Sequence, residues 1–296
     1  MIEPSENSSA LSVTAFRRYL PCSALATFGG WIVRFLLGWS AWEMTHSATW
    51  VGVVAGLVLA PSFLLSPFFG VISDRINTQK GLITTISLQA IVALMGGLLE
   101  LSGVYSLGWL LILAATFGAI LGAHQPIRLA LIPHLVPRAI LSSAIGLSAV
   151  IFNTSRILAP AVAAWLITQT SEANTFLVAT VLLVVALPFL YSVSGIPNAI
   201  ERESASLLVQ FAEGYRYARD HVGIRLVFGY TVLNALLGRT VLELLPALSG
   251  KLLSGDAATL ATLTAFAGMG AVTGGLILSR QNSEIPGILR LLALGL

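Results

Sequence analysis

The chain has 296 residues, of which 56% are hydrophobic and only 10% charged, with a mean hydropathy of +0.88. A soluble domain carries roughly a quarter charged residues to solvate its surface, so this composition excludes a water-exposed globule and requires a bilayer as solvent. The net charge of +3 is spread between apolar runs rather than gathered in one patch, which speaks against nucleic-acid binding, and the single cysteine, Cys22, excludes a disulfide framework.

Residues 1–19 are polar and lack the architecture of a signal peptide, so they read as a cytosolic tail. Apolar runs long enough to span hydrocarbon follow at Leu20–Trp42, Ala48–Ile72, Gly81–Leu101, Leu107–Ala123, Ile140–Thr168 and Asn174–Val193. These predict a first six-helix transmembrane bundle over residues 20–193. Residues 194–222 form a charged break in which Leu208, Phe211 and Tyr215 recur at helical spacing. That pattern fits either an amphipathic helix on the cytoplasmic surface or a plain solvated linker. Two more runs, Ile224–Ala247 and Ala257–Ser279, and the start of another at Ile288–Leu296, predict an incomplete second bundle over residues 223–296. At about 1.5 Å per residue the last run reaches less than half-way across hydrocarbon, so the expectation is a C-terminally truncated chain.

Placing the N-terminus in the cytoplasm puts Arg17, Arg18, Arg75, Lys80, Arg128, Arg138, Arg202, Arg216, Arg219, Arg225, Arg280 and Arg290 inside and only Lys251 outside. Twelve against one follows the positive-inside rule. The remaining three basic residues, Arg34, Arg156 and Arg239, fall in mid-span. A cation there costs about 2.5–3.5 kcal/mol unless it faces a wet cavity or a partner. Converging on one cavity they would suit an anionic or oxygen-rich small molecule; pairing with carboxylates elsewhere, or with carbonyls freed by Pro61 and Pro160, is the alternative. Asn153 lies one turn from Arg156 and either contacts cargo, orients that arginine or glues helices together. Glu43 and Glu243, near the outer ends of their spans, are either proton carriers or ordinary loop carboxylates. The pairs Gly52/Gly56, Gly118/Gly122 and Gly270/Gly274 read as close helix contacts. The four histidines read as solvated residues near span ends. No nucleotide loop, metal cluster or catalytic triad is present, so neither a cofactor nor an enzyme is expected.

The pairs Arg34 and Arg239, Gly70 and Gly275, and Arg75 and Arg280 share one spacing of 205 residues. Each pair falls at matching depth in its unit, as in parallel-repeat transporters. The loop Gly70-Val-Ile-Ser-Asp74-Arg75-Ile-Asn-Thr-Gln-Lys80 resembles the signature of the major facilitator superfamily, with Asn77-Thr78-Gln79 where further basic residues are usual. Asn153-Thr-Ser-Arg156-Ile-Leu-Ala159-Pro160 resembles the fifth-helix antiporter motif, with alanine in place of glycine. Gly29-Gly-Trp31…Arg34 and His124-Gln-Pro-Ile-Arg128 resemble the branch of enterobactin-type siderophore exporters and drug-efflux proteins.

The resemblance implies an all-α integral membrane fold of two six-helix bundles rocking about a midplane site. It further implies a monomeric, proton-coupled exporter of small molecules in a bacterial plasma membrane. Gly70, Asp74, Arg75 and Lys80 would then form a conformational clasp at the inner face, rather than a positive-inside anchor with an incidental carboxylate. An inactive remnant, or an importer or sensor on the same fold, are the competing expectations.

Overall fold

The computed structural model describes residues 10–73, 75–194, 207–234 and 266. The chain divides into two units, Met1–Phe211 and Ala212–Leu296. In the first, a short 3-10 turn at Ala10–Ser12 precedes α1 (Thr14–Thr45), α2 (Ala48–Ser73), α3 (Thr78–Leu101), α4 (Leu107–Leu135), α5 (Leu141–Gln169) and α6 (Glu172–Tyr191). All six are long and apolar enough to cross a membrane. This is the all-helical membrane fold that the apolar runs predict. Hydrocarbon supplies no hydrogen bonds, so a spanning segment must pair its own backbone groups, and a helix does so.

The predicted break contains α7 (Leu207–Asp220), which falls across the boundary between the units, followed by α8 (Val222–Asn234). Tyr215 and Tyr217 on α7 are exposed, and Arg219 pairs with its neighbour Asp220 at 3.3 Å. The run Ala257–Ser279 apart from Phe266, the start of a run at Ile288, and Asp74, Arg239, Glu243, Gly270 and Gly274 lie outside the described residues.

Within the first unit α1 packs on α6 and α5, α2 on α4, and α3 on both α6 and α4. Small residues set how closely these axes approach. A Cβ built on Gly118 would stand 2.5 Å from the Val58 carbonyl oxygen and 2.6 Å from that of Leu57, so α4 lies directly on the α2 backbone. One turn on, Gly122 faces Ser62 and Leu65 in the same way. The predicted role of this pair as a close helix contact is therefore met. Gly52, Gly56 and Gly70 differ: nothing among the described residues lies within 4 Å of a Cβ at these positions, so the close contact expected of Gly52/Gly56 is not made to any described residue.

The fourth helix corrects its predicted end. The sequence places the end at Ala123, before Pro126, whereas α4 runs through Pro126 and Pro133 to Leu135. A proline denies the helix one hydrogen bond and crowds the preceding turn. Inside a bundle, packing from neighbouring helices holds the axis together across that gap. The extension moves two residues from where the sequence put them. Arg128, expected in the cytoplasmic loop, and His124, expected in a solvated span end, are buried in the bundle at 8% and 6% exposure.

The α2–α3 turn is built from local caps. Asn77 Oδ1 accepts from the Lys80 amide at 3.0 Å and opens α3, the Ser73 hydroxyl donates to the Gly70 carbonyl at 2.7 Å, and the Arg75 amide donates to the Ile72 carbonyl at 2.9 Å. The side chain that ties this turn to the rest of the bundle is Gln79, whose Nε2 donates to the carbonyls of Leu190 (2.7 Å) and Val193 (2.8 Å). Arg18 on α1 adds a third donor, to the Ser192 carbonyl at 3.2 Å. The last carbonyls of a helix have no partner of their own, so α1 and α3 together close the end of α6. Replacing Gln79 with leucine removes two of these bonds, and we expect a loss of about 1–3 kcal/mol, read as a lower unfolding midpoint of the purified chain. An unchanged midpoint would show that water caps α6 equally well.

Candidate functional site

The interior arginines are held by aromatic rings. Trp31 and Arg34 sit three residues apart on α1 and so share a face. The Arg34 guanidinium carbon lies 5.2 Å from the Trp31 ring centroid. Trp31 in turn meets Phe152 of α5 edge-on, with centroids 5.7 Å apart at 68°. Against Phe152 lies the guanidinium of Arg128 from α4, 5.4 Å from the ring centroid. Three helices thus build one continuous arrangement, Arg34–Trp31–Phe152–Arg128. Each cation sits over a π-system, a contact worth about 0.5–2 kcal/mol depending on desolvation, which offsets part of the cost of holding charge inside a bundle.

Arg156 lies one helical turn beyond Phe152 on α5 and is half-buried, so it extends the same face. Asn153 is exposed, and its Nδ2 donates to the Ala149 carbonyl of its own helix at 2.9 Å. That bond ties the amide to α5 rather than to Arg156. Ala159 is fully buried and Pro160 partly buried inside α5, which continues through the proline to Gln169. Lys80 is exposed at the α2–α3 turn.

Beside this arrangement, α1, α3 and α4 enclose a polar pocket that sequence reasoning missed. Thr85 donates its hydroxyl to the Leu82 carbonyl at 3.1 Å and lies 3.0 Å from His124 Nδ1. The two side chains share one hydrogen bond, whose direction follows the imidazole tautomer. Arg128 follows His124 by one turn and lines the same small cavity, of about 10 Å³, together with Tyr19, Ser23, Leu82 and Ile86. A larger groove of about 400 Å³ opens between α5 and α6, but Leu166, Val178, Val181 and Leu182 make it apolar, as a lipid-facing surface would be. The signal that would have exposed the polar pocket is the spacing of His124 and Arg128, four residues apart on an otherwise apolar stretch.

A second polar cluster closes the opposite end of the bundle. Glu172 opens α6 behind its cap Ser171, whose hydroxyl oxygen accepts from the Asn174 amide at 3.1 Å. Its carboxylate also accepts from the Ser40 hydroxyl of α1. Tyr105, in the α3–α4 loop, reaches Ser40 at 3.5 Å. Burial pushes the Tyr105 phenol above its ordinary value, while its hydrogen bond to Ser40 opposes that shift; it stays a neutral donor. Glu43, the predicted proton carrier of the first bundle, is exposed on the last turns of α1, and Glu100 is half-buried at the end of α3. A carboxylate in the first turn of a helix is favoured by the helix dipole.

The family model described as "Transmembrane secretion effector" matches residues 6–292. The Staphyloferrin A transporter of Staphylococcus aureus (strain NCTC 8325 / PS 47) is 27% identical to this chain over 267 residues. That match covers 88% of the chain and 66% of the relative's length.

Proposed function

Because the chain belongs to the transmembrane secretion effector family of the major facilitator superfamily, we propose that it works as a proton-coupled exporter of small anionic, siderophore-like molecules. A multi-pass membrane protein of this family carries cargo without covalent chemistry. It needs only an interior site whose contacts differ between two conformations, so that cargo and protons shift the balance between them. The observation that carries the anionic specificity is the run Arg34–Trp31–Phe152–Arg128, with Arg156 one turn on. Guanidinium groups match carboxylate geometry through paired N–H donors, and the aromatic rings give flat apolar surface to the carbon frame between carboxylates. The similarity to a transporter of staphyloferrin A supports siderophore-like cargo. Glu43 and Glu243 take the proton-coupling role. Gly70, Asp74, Arg75 and Lys80 act as the clasp, Ala159 and Pro160 shape the fifth helix for antiport, and Arg239 supplies the matching cation of the second unit. The chain works as a monomer in a bacterial plasma membrane with its N-terminus in the cytoplasm.

Everted membrane vesicles test this reading. With an acid-inside gradient, a labelled polycarboxylate should accumulate in the vesicles, and a protonophore should abolish the accumulation. Asp74→Asn should cut the initial rate at least about fivefold while leaving the amount of inserted protein unchanged. Accumulation that ignores the proton gradient would remove antiport, and uptake confined to right-side-out vesicles would make the protein an importer.

A further inference from the structure

Arg128 is only 8% exposed, and its Nε and Nη1 atoms are buried without a hydrogen-bond partner. The Ser23 hydroxyl lines the same cavity and is likewise buried, with the Tyr19 phenol one turn away on α1 as its neighbour but no partner at full hydrogen-bond geometry. Phe152 covers part of the guanidinium, but a ring face neutralises no charge. The other polar side chains lining the cavity, Tyr19, Cys22, Thr27 and His124, carry no formal negative charge at neutral pH, and His124 Nδ1 is already engaged with Thr85. Among the described residues no acidic side chain pairs with Arg128.

A buried cation with unmade donors is strongly unfavourable until something supplies both acceptors and negative charge. The cavity beside it, about 10 Å³, is just large enough for one water-sized guest, and its lining side chains must move apart by a few tenths of an ångström to admit a halide. A water molecule would answer the hydrogen bonds but not the charge; an anion answers both.

We propose that Arg128 and Ser23 form an internal anion site within the first bundle. It takes one negatively charged acceptor atom, either a halide ion from solution or one carboxylate oxygen of the cargo. The halide source stands on the first bundle alone, whereas the carboxylate source rests on the transport reading given above. Chain geometry sets its depth. Arg128 lies seven residues beyond the middle of α4 (Leu107–Leu135), toward the end that carries the α2–α3 turn, or roughly 10 Å from mid-helix. Arg34 lies beyond the middle of α1 (Thr14–Thr45) in the opposite direction. The two cations therefore offer an anion two stations at different depths, bridged by Trp31 and Phe152.

The test measures binding without transport, so its failure leaves the vesicle result untouched. The unfolding midpoint of the purified full chain is followed while chloride, or separately acetate, replaces a bulky organic sulfonate at constant ionic strength. At least one of the two should raise the midpoint saturably, as a ligand of the folded state does. A response to chloride alone identifies the solution ion; a response to acetate identifies the carboxylate. Arg128→Gln should abolish the response, Ser23→Ala should raise the half-saturating concentration at least about fivefold, and Arg225→Gln on exposed α8 should change nothing. Ser23→Ala deletes one small buried hydroxyl and should fold, so it decides the matter even if Arg128→Gln does not. No saturable response to either anion, or an unchanged half-saturation in Ser23→Ala, overturns the proposal.

Discussion

Gly118→Leu is expected to abolish stable folding of the first bundle, with a destabilisation above about 3 kcal/mol. Overpacking a well-filled contact costs about 1–3 kcal/mol when neighbours can shift. At Gly118 the obstructing atoms are the backbone carbonyls of Val58 and Leu57, at 2.5 and 2.6 Å from the new Cβ. Backbone cannot rotate aside as a side chain can, so α2 and α4 must separate along their length. Even Gly118→Ala should fall near the upper end of the ordinary range. Gly52→Ala on α2 is the control: nothing among the described residues lies within 4 Å of its Cβ, and alanine favours helix over glycine by up to about 1 kcal/mol. Thermal unfolding of the detergent-purified variants reads the difference. Equal midpoints for Gly118→Leu and the parent chain would mean that α2 and α4 do not make this contact.

Arg34→Gln is expected to lower transport of a polycarboxylate at least about tenfold, equivalent to roughly 1.4 kcal/mol of lost interaction, while the protein still inserts and folds. Glutamine keeps hydrogen-bonding capacity and much of the length but removes the charge. The Trp31 contact that it gives up is worth about 0.5–2 kcal/mol, so the variant should still fold. Arg34→Lys keeps the charge but loses the planar fork and its stacking on Trp31, and should recover only part of the rate. Arg156→Gln, further along the same face, should act in the same direction. The readout is the initial rate in vesicles, normalised to inserted protein, with a neutral compound as second cargo. A tenfold loss for the neutral compound too would make Arg34 a structural residue rather than a contact for negative charge.

Much of the fold was legible because lipid imposes simple demands. Six apolar runs of spanning length became six helices, and five of them end close to where the runs end. The exception, α4, is the informative one. A proline at position 126 reads as a terminator in an isolated segment, and no local rule says that neighbouring helices will hold the axis straight through it. From that one difference followed the misplacement of His124 and Arg128, both assigned to wet surfaces by counting from the end of the run. The glycine pairs show the same division. Gly118/Gly122 and Gly52/Gly56 have identical spacing, yet among the described residues only the first pair lies against a neighbouring backbone.

By itself, then, the sequence determined the solvent, the helical backbone and the family. Each depends on summed hydrophobicity or on motifs contiguous in the chain, such as Gly70–Lys80 and Asn153–Pro160. The tertiary structure alone decided which cations share an interior. Arg34, Phe152 and Arg128 come from three helices whose rotation about their axes is set by side-chain packing, and a rotation of one residue, about 100°, would turn any of them to lipid. Helix existence is a local property of the chain; helix facing is a property of the whole bundle, and the candidate anion contacts depend on facing.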